Sequence, residues 1–170
     1  MATIIPRWEW RTFGNRFRIA EEHFAQLQPT GVQESDELYL LAGSADNVKI
    51  RDALMDIKVL RATNSQDLEC WEPVMKQGFP MAATDVVKVF AALHLAAPAM
   101  ERESYTLEQF VDELVAPSRV LRAVKIHKRR VRYKVGGCTS EVTDVTAEGK
   151  STRTIAIESE DAAAVVAAVA

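Results

Sequence analysis

Cations recur at every second residue in several short stretches of this 170-residue chain. Lys49 and Arg51 alternate with Val48 and Ile50, and Asp56 and Lys58 alternate with Met55, Ile57 and Val59. Arg7, Glu9 and Arg11 alternate with Trp8 and Trp10, and Lys128, Arg130 and Arg132 alternate with Arg129, Val131 and Tyr133. In a strand successive side chains point to opposite faces, so each stretch gathers its charges on one side. Collected by parity, one set of faces carries Glu9, Arg11, Lys49, Arg51, Asp56, Lys58, Glu69, Lys128, Arg130, Arg132, Glu141, Glu158 and Glu160. Fixed guanidinium and ammonium groups hydrogen-bond phosphoryl oxygens. Carboxylates hold Mg²⁺ or Mn²⁺, which keep several waters and bridge to phosphates. This set therefore suits a phosphate chain. The competing reading of the same residues is a wet sheet face crossed by salt bridges.

So many cations are unusual for a solvent face, and the alternative is a barrel whose strands turn their charges inward and pack helices outside. The elements needed are legible. Strands are expected over Ile4–Phe13, Asp36–Ala42, the hairpin Asn47–Arg61, Gln66–Trp71 (closed by Pro73), Val120–Val135 divided near Val124, Cys138–Val145 and Thr152–Glu160. Gly136-Gly137 and Glu148-Gly149 mark turns between the last three. Helical spacing places helices at Phe17–Gln28, at Thr84–Leu95 behind a Thr84 or Asp85 cap, and at Thr106–Val115, where Thr106 and Gln109 form a capping box. A last helix begins near Ser159 or Asp161 and stops in alanine and valine, which fits a truncated C-terminus. The expectation is one α+β domain over 1–170: an eight-stranded antiparallel closed barrel, or tunnel, with helices outside.

Hydrophobic residues make up 48% and charged residues 26% of the chain, ordinary values for a globular protein. The net charge of -3 argues against a general nucleic-acid binder, so any anion site must be local. Cys70 and Cys138 lack paired-motif spacing and read as reduced, structural thiols. His23, His94 and His127 are scattered without zinc spacing. No apolar run is long enough to span a bilayer and no signal-peptide pattern precedes Pro6 and Arg7. These features lead us to expect a soluble cytoplasmic protein with neither a membrane nor a nucleic-acid partner. A barrel with open mouths is compatible with a homodimer, although no stretch demonstrates one.

The order of the stretches resembles the CYTH domain proteins, or triphosphate tunnel metalloenzymes. Arg7-Trp8-Glu9-Trp10-Arg11 is similar to their N-terminal Glu-x-Glu-x-Lys strand, Glu37-Leu38-Tyr39-Leu40 to the Asp-x-Tyr-Phe strand and Lys49-Ile50-Arg51 to the basic strand. Asp56-Ile57-Lys58 is similar to the Thr-x-Lys strand, Leu68-Glu69-Cys70-Trp71-Glu72 to the Arg-x-Glu strand and Lys128 to Tyr133 to the Lys-x-Arg-x-x-Tyr strand. Glu141 to Val145 follows as the acidic strand, and Ala156-Ile157-Glu158 closes as Glu-x-Glu. The resemblance implies a tunnel in which Arg11, Lys49, Arg51, Lys58, Lys128, Arg130 and Arg132 grip phosphates. Glu9, Glu141, Glu158 and Glu160 would hold Mg²⁺ or Mn²⁺, with Glu9, Glu158 and Lys58 as the catalytic set. Arg7 and Ala156 stand where the family has carboxylates. The implied function is metal-dependent hydrolysis of inorganic triphosphate, polyphosphate or an organic triphosphate. A non-catalytic polyphosphate- or nucleotide-binding module is the alternative, and adenylate cyclisation a third option.

Overall fold

The computed structural model describes residues 4–170. In chain order the elements are β1 (Arg7–Gly14), α1 (Arg18–Ala25), β2 (Gly31–Leu41), β3 (Asn47–Arg51), β4 (Leu54–Thr63), β5 (Glu69–Gly78), β6 (Met81–Ala82) and α2 (Ala83–Ala92). Then come β7 (Ser104–Tyr105), the single turn α3 (Leu107–Gln109) running into π-helix over Phe110–Val115, β8 (Arg122–Val135), β9 (Cys138–Ala147), β10 (Lys150–Ser159) and α4 (Ala162–Val169). Eight strands close into an antiparallel barrel in the order β1-β10-β9-β8-β2-β3-β4-β5, with β5 returning to β1. The two-residue strands β6 and β7 pair separately. The fold class expected from the sequence is therefore correct.

Three barrel hairpins turn through two residues that both have positive φ: Asp52-Ala53, Gly136-Gly137 and Glu148-Gly149. That geometry matches the right-handed twist of the flanking strands, and at Gly136-Gly137 glycine adopts it without a steric cost. Such turns fix register, and register fixes which face each charge occupies. In the β3–β4 hairpin Lys49 lies opposite Asp56, while Val48 and Ile50 lie opposite Ile57 and Met55.

The chain divides into two compact units. One comprises the chain up to Ser35, Arg61–Glu72 and Ile126–Ala170, and the other Asp36–Leu60 and Pro73–Lys125. In the first, α4 buries Val165 against Leu68, Cys138 and Ile157, with Trp8 and Trp10 beside them. The tryptophans thus pack, and Glu9 and Arg11 must face the other way. In the second, the apolar parity of the strands (Leu40, Val48, Ile50, Met55 and Ile57) meets Val86, Val89 and Phe90 of α2, together with Tyr105 and Phe110. Burying that face against helices leaves Lys49, Arg51, Asp56 and Lys58 on the opposite, inner side.

Several boundaries differ from expectation. β2 begins at Gly31 rather than Asp36 because Gln33 and Ser35 take partners on β8, which periodicity of apolar residues cannot reveal. β5 runs through Pro73 to Gly78 instead of ending at Trp71. The last β1 partner along it is Trp71, so the proline's missing N–H costs no bond to β1. β8 is one continuous strand. α2 ends at Ala92, and His94 at φ 57° leaves the helical region well before Pro98. Asp85 does not cap that helix; its carboxylate accepts from Gln77 at 2.8 Å and Lys88 at 2.7 Å. The capping box of Thr106 and Gln109 is present with both bonds made, and Asp161 caps α4 by accepting from the Ala163 amide at 2.9 Å. Among the described residues no helix is long and apolar enough to cross a membrane.

Candidate functional site

The residues singled out by parity fall into two groups, one in each unit. In the first unit, β1, β10, β9 and β8 are consecutive neighbours, and their register aligns Arg11, Ala156, Glu141 and Arg132 in one row. Arg11 reaches across this row. Its Nε donates to Glu9 Oε1 at 2.8 Å and its Nη2 to Glu9 Oε2 at 3.2 Å and Glu141 Oε1 at 3.3 Å. Its Nη1 donates to Thr154 Oγ1 at 3.1 Å. Arg130, 5% exposed, donates through Nη1 to Ser35 Oγ at 2.8 Å and approaches Glu141 Oε2 at 4.0 Å through Nε. Arg132 donates to Gln33 Oε1 at 2.9 Å. Arg7 pairs with Glu158 at 3.3 Å.

Three carboxylates of this unit lie in one register row, each engaged by another side chain. Glu158, Glu9 and Glu69 occupy adjacent register positions on β10, β1 and β5. Yet Glu9 is bound by Arg11, Glu158 by Arg7, and Glu69 accepts from Trp71 Nε1 at 3.1 Å. Glu160 lies beyond the end of β10 and is exposed. Among the described residues no three His, Cys, Asp or Glu side chains come together as a cation site. The donor set therefore does not fit a divalent ion in this arrangement.

Burial by itself would raise the Glu141 carboxyl, but Arg11 and Arg130, with hydrogen bonds from Arg11 and the Thr143 hydroxyl, outweigh it and hold the group below the ordinary carboxylate range. A carboxyl lowered in the folded state stabilises the fold above its unfolded value of about 4.3 and loses that contribution as the pH falls through the folded value. Urea midpoints from pH 7 to pH 3 are accordingly expected to fall less steeply below about pH 4 for Glu141→Gln than for the parent chain. An unchanged slope would remove Glu141 from the acid-sensitive set.

The second unit carries Lys49, Arg51, Asp56 and Lys58, together with a residue that parity did not single out. Glu37 has a fully enclosed side chain, with Lys49 Nζ 3.3 Å from Oε2 and Arg51 Nη1 3.8 Å from Oε1. Arg51 also donates to Asp56 Oδ2 at 3.4 Å, and Lys49 Nζ stands 5.4 Å from the centroid of the Tyr39 ring. Lys58 is half-buried and has no ion-pair partner among the described residues. Glu37 was visible in the Glu37-Leu38-Tyr39-Leu40 stretch only as part of a strand. Its neighbours Leu38 and Leu40 pack in the apolar core, and that alternation was the signal placing Glu37 inward. Ser35, Thr143 and Thr154, also buried on the inner side, gave no comparable signal. Both cysteines are buried, and burial followed by Glu72 pushes the Cys70 thiol up, away from nucleophile character.

No family model matches the chain and no curated protein does. Solved structures do. One is a proposed adenylyl cyclase, HpAC1 from Hippeastrum, described as having a dominant triphosphatase activity: 14% identity, TM-score 0.53, covering 96% of this chain and 84% of that one. Another is a proposed adenylate cyclase from Bacillus halodurans: 11% identity, TM-score 0.53, covering 98% of this chain and 85% of that one. At these identities the likeness establishes the fold alone, an eight-stranded closed barrel shared with these proteins.

Proposed function

We propose that the inner face of β1, β8, β9 and β10 binds condensed phosphate: inorganic triphosphate, longer polyphosphate or the triphosphate of an organic molecule. One observation carries this reading. Lys128, Arg130 and Arg132 follow one another on the inner parity of β8, and Arg130 is locked by Ser35 in a buried position. A guanidinium fixed before the ligand arrives loses little further freedom on binding and can meet an oxyanion with paired N–H donors. The shared fold with a protein described as a triphosphatase supports the ligand class. Lys49, Arg51 and Lys58 form a second group of the same chemistry in the other unit.

Calorimetry with tripolyphosphate, pyrophosphate and orthophosphate tests the reading. Affinity is expected to rise with chain length and to fall with added salt, since exposed charge pairs are screened. Arg132→Ala should weaken tripolyphosphate about fivefold to tenfold, the loss of one charge-assisted bond at an exposed position. Equal, negligible heats for all three anions would refute it.

Hydrolysis is the second reading, favoured by the register row of Glu158, Glu9 and Glu69. In-line attack by water on a phosphoryl group needs positioning and charge stabilisation rather than a covalent nucleophile. Phosphate release that requires Mg²⁺ or Mn²⁺ and disappears in Glu158→Gln would support this reading, and cyclic AMP formed from ATP would support cyclisation instead.

A further inference from the structure

Arg11 makes four hydrogen bonds through Nε, Nη1 and Nη2, and two of them take up both oxygens of Glu9. A third engages Glu141, two strands away, across a span of about 10 Å set by two strand spacings. Ala156 makes that span passable. It lies opposite Arg11 on one side and Glu141 on the other, and its methyl group leaves the row open between them. A carboxylate at position 156 would instead meet the guanidinium first. Arg7 meanwhile occupies an oxygen of Glu158. The two positions at which the chain departs from the acidic pattern, Arg7 and Ala156, are thus the two that let arginines reach the remaining acids.

Small hard cations such as Mg²⁺ need bare carboxylate oxygens at about 2.0–2.1 Å in near-octahedral geometry. Here both Glu9 oxygens, Oε1 of Glu141 and Oε1 of Glu158 are already hydrogen-bonded, and freeing Glu9 and Glu141 would strand a half-buried guanidinium. We infer that Arg11, seated between Glu9 and Glu141, is a built-in cation in the place of a divalent ion, so that this barrel takes condensed phosphate without metal. A guanidinium has five N–H donors. The four used here leave one on Nη1 without a partner among the described residues, available to a phosphoryl oxygen. This inference rests on the anion-binding reading for its ligand, while its statement about cations stands apart.

The test has two arms on the full chain. In the first, MnCl₂ is titrated without phosphate and free Mn²⁺ is followed by electron paramagnetic resonance. The parent chain is expected to bind no Mn²⁺ below about 1 mM, and Arg11→Gln combined with Ala156→Glu is expected to gain affinity about tenfold or more. Mn²⁺ binding by the parent chain overturns the inference. So does a double variant with parental circular dichroism and no gain; if the double variant does not fold, Arg11→Gln alone is held to the same standard. In the second arm, tripolyphosphate is titrated in EDTA and then with Mg²⁺. Binding in EDTA that Mg²⁺ does not tighten is the expected result, and binding only with Mg²⁺ overturns the inference. Absence of tripolyphosphate binding in both buffers refutes the proposed ligand, and the Mn²⁺ arm then decides the cation question alone.

Discussion

Glu37→Ala is expected to destabilise the fold by about 3–5 kcal/mol, the cost of removing one partner from a buried ion pair and leaving the other uncompensated. The Glu37 side chain is wholly enclosed, and Lys49 and Arg51 both turn toward it. Lys49 is itself only 8% exposed, so water cannot take over the lost contact without opening the strands. Urea unfolding at pH 7 reads the effect directly. A paired replacement, Glu37→Leu with Lys49→Met, removes both charges and should recover most of the loss, because apolar groups of similar volume often serve as well as a buried pair. If Glu37→Ala costs less than about 1 kcal/mol, the enclosed carboxylate is not the counter-ion of Lys49. The same geometry bears on ligand tests. Lys49→Ala is expected to perturb stability as well as binding, so Arg132 is the cleaner probe of phosphate recognition.

Phe110→Ala is the second large effect, again about 3–5 kcal/mol for truncating a buried aromatic ring. Phe110 is fully buried where the capped turn of α3 passes into π-helix, and its ring lies 5.7 Å from that of Phe79 at 53°. A tilted aromatic pair adds about 0.5–1.5 kcal/mol beyond area burial. At about 2–4 °C per kcal/mol for a chain of this size, the thermal midpoint should fall by roughly 10 °C. Phe110→Leu keeps much of the volume and should lose less than half as much. Comparable losses for both would show that the ring's shape, rather than its volume, holds the segment.

The barrel was legible because its strands obey a simple period. Val48, Ile50, Met55 and Ile57 marked one face, and the charges between them were forced onto the other. The turn residues Gly136-Gly137 and Glu148-Gly149 marked two hairpins correctly. Where local pattern was silent, the boundaries moved. Gly31–Ser35 became strand because Arg130 and Arg132 have partners there, a long-range fact. The strand through Pro73 depends on where β1 begins, which is equally non-local. In the candidate site, parity assigned the inner faces, but pairing did not follow from it. That Arg11 rather than Arg7 would take Glu9, and Arg7 would take Glu158, depends on register between strands far apart in sequence. Glu37 carries no sign of its role in the sequence, because an acid alternating with leucines looks ordinary until its two cations are seen beside it.

The placement of the three tryptophans has an optical consequence. Trp8, Trp10 and Trp71 all belong to the unit that holds Arg11 and Arg130, and the unit that holds Lys49 and Arg51 contains none. Intrinsic emission of the unmodified chain therefore arises from the unit that holds Arg11. An anion settling near Arg11 is expected to alter the field around Trp8 and Trp10, which share its strand, and to shift the spectrum. Emission would thus follow binding beside Arg11 in the unmodified chain, before any residue is changed.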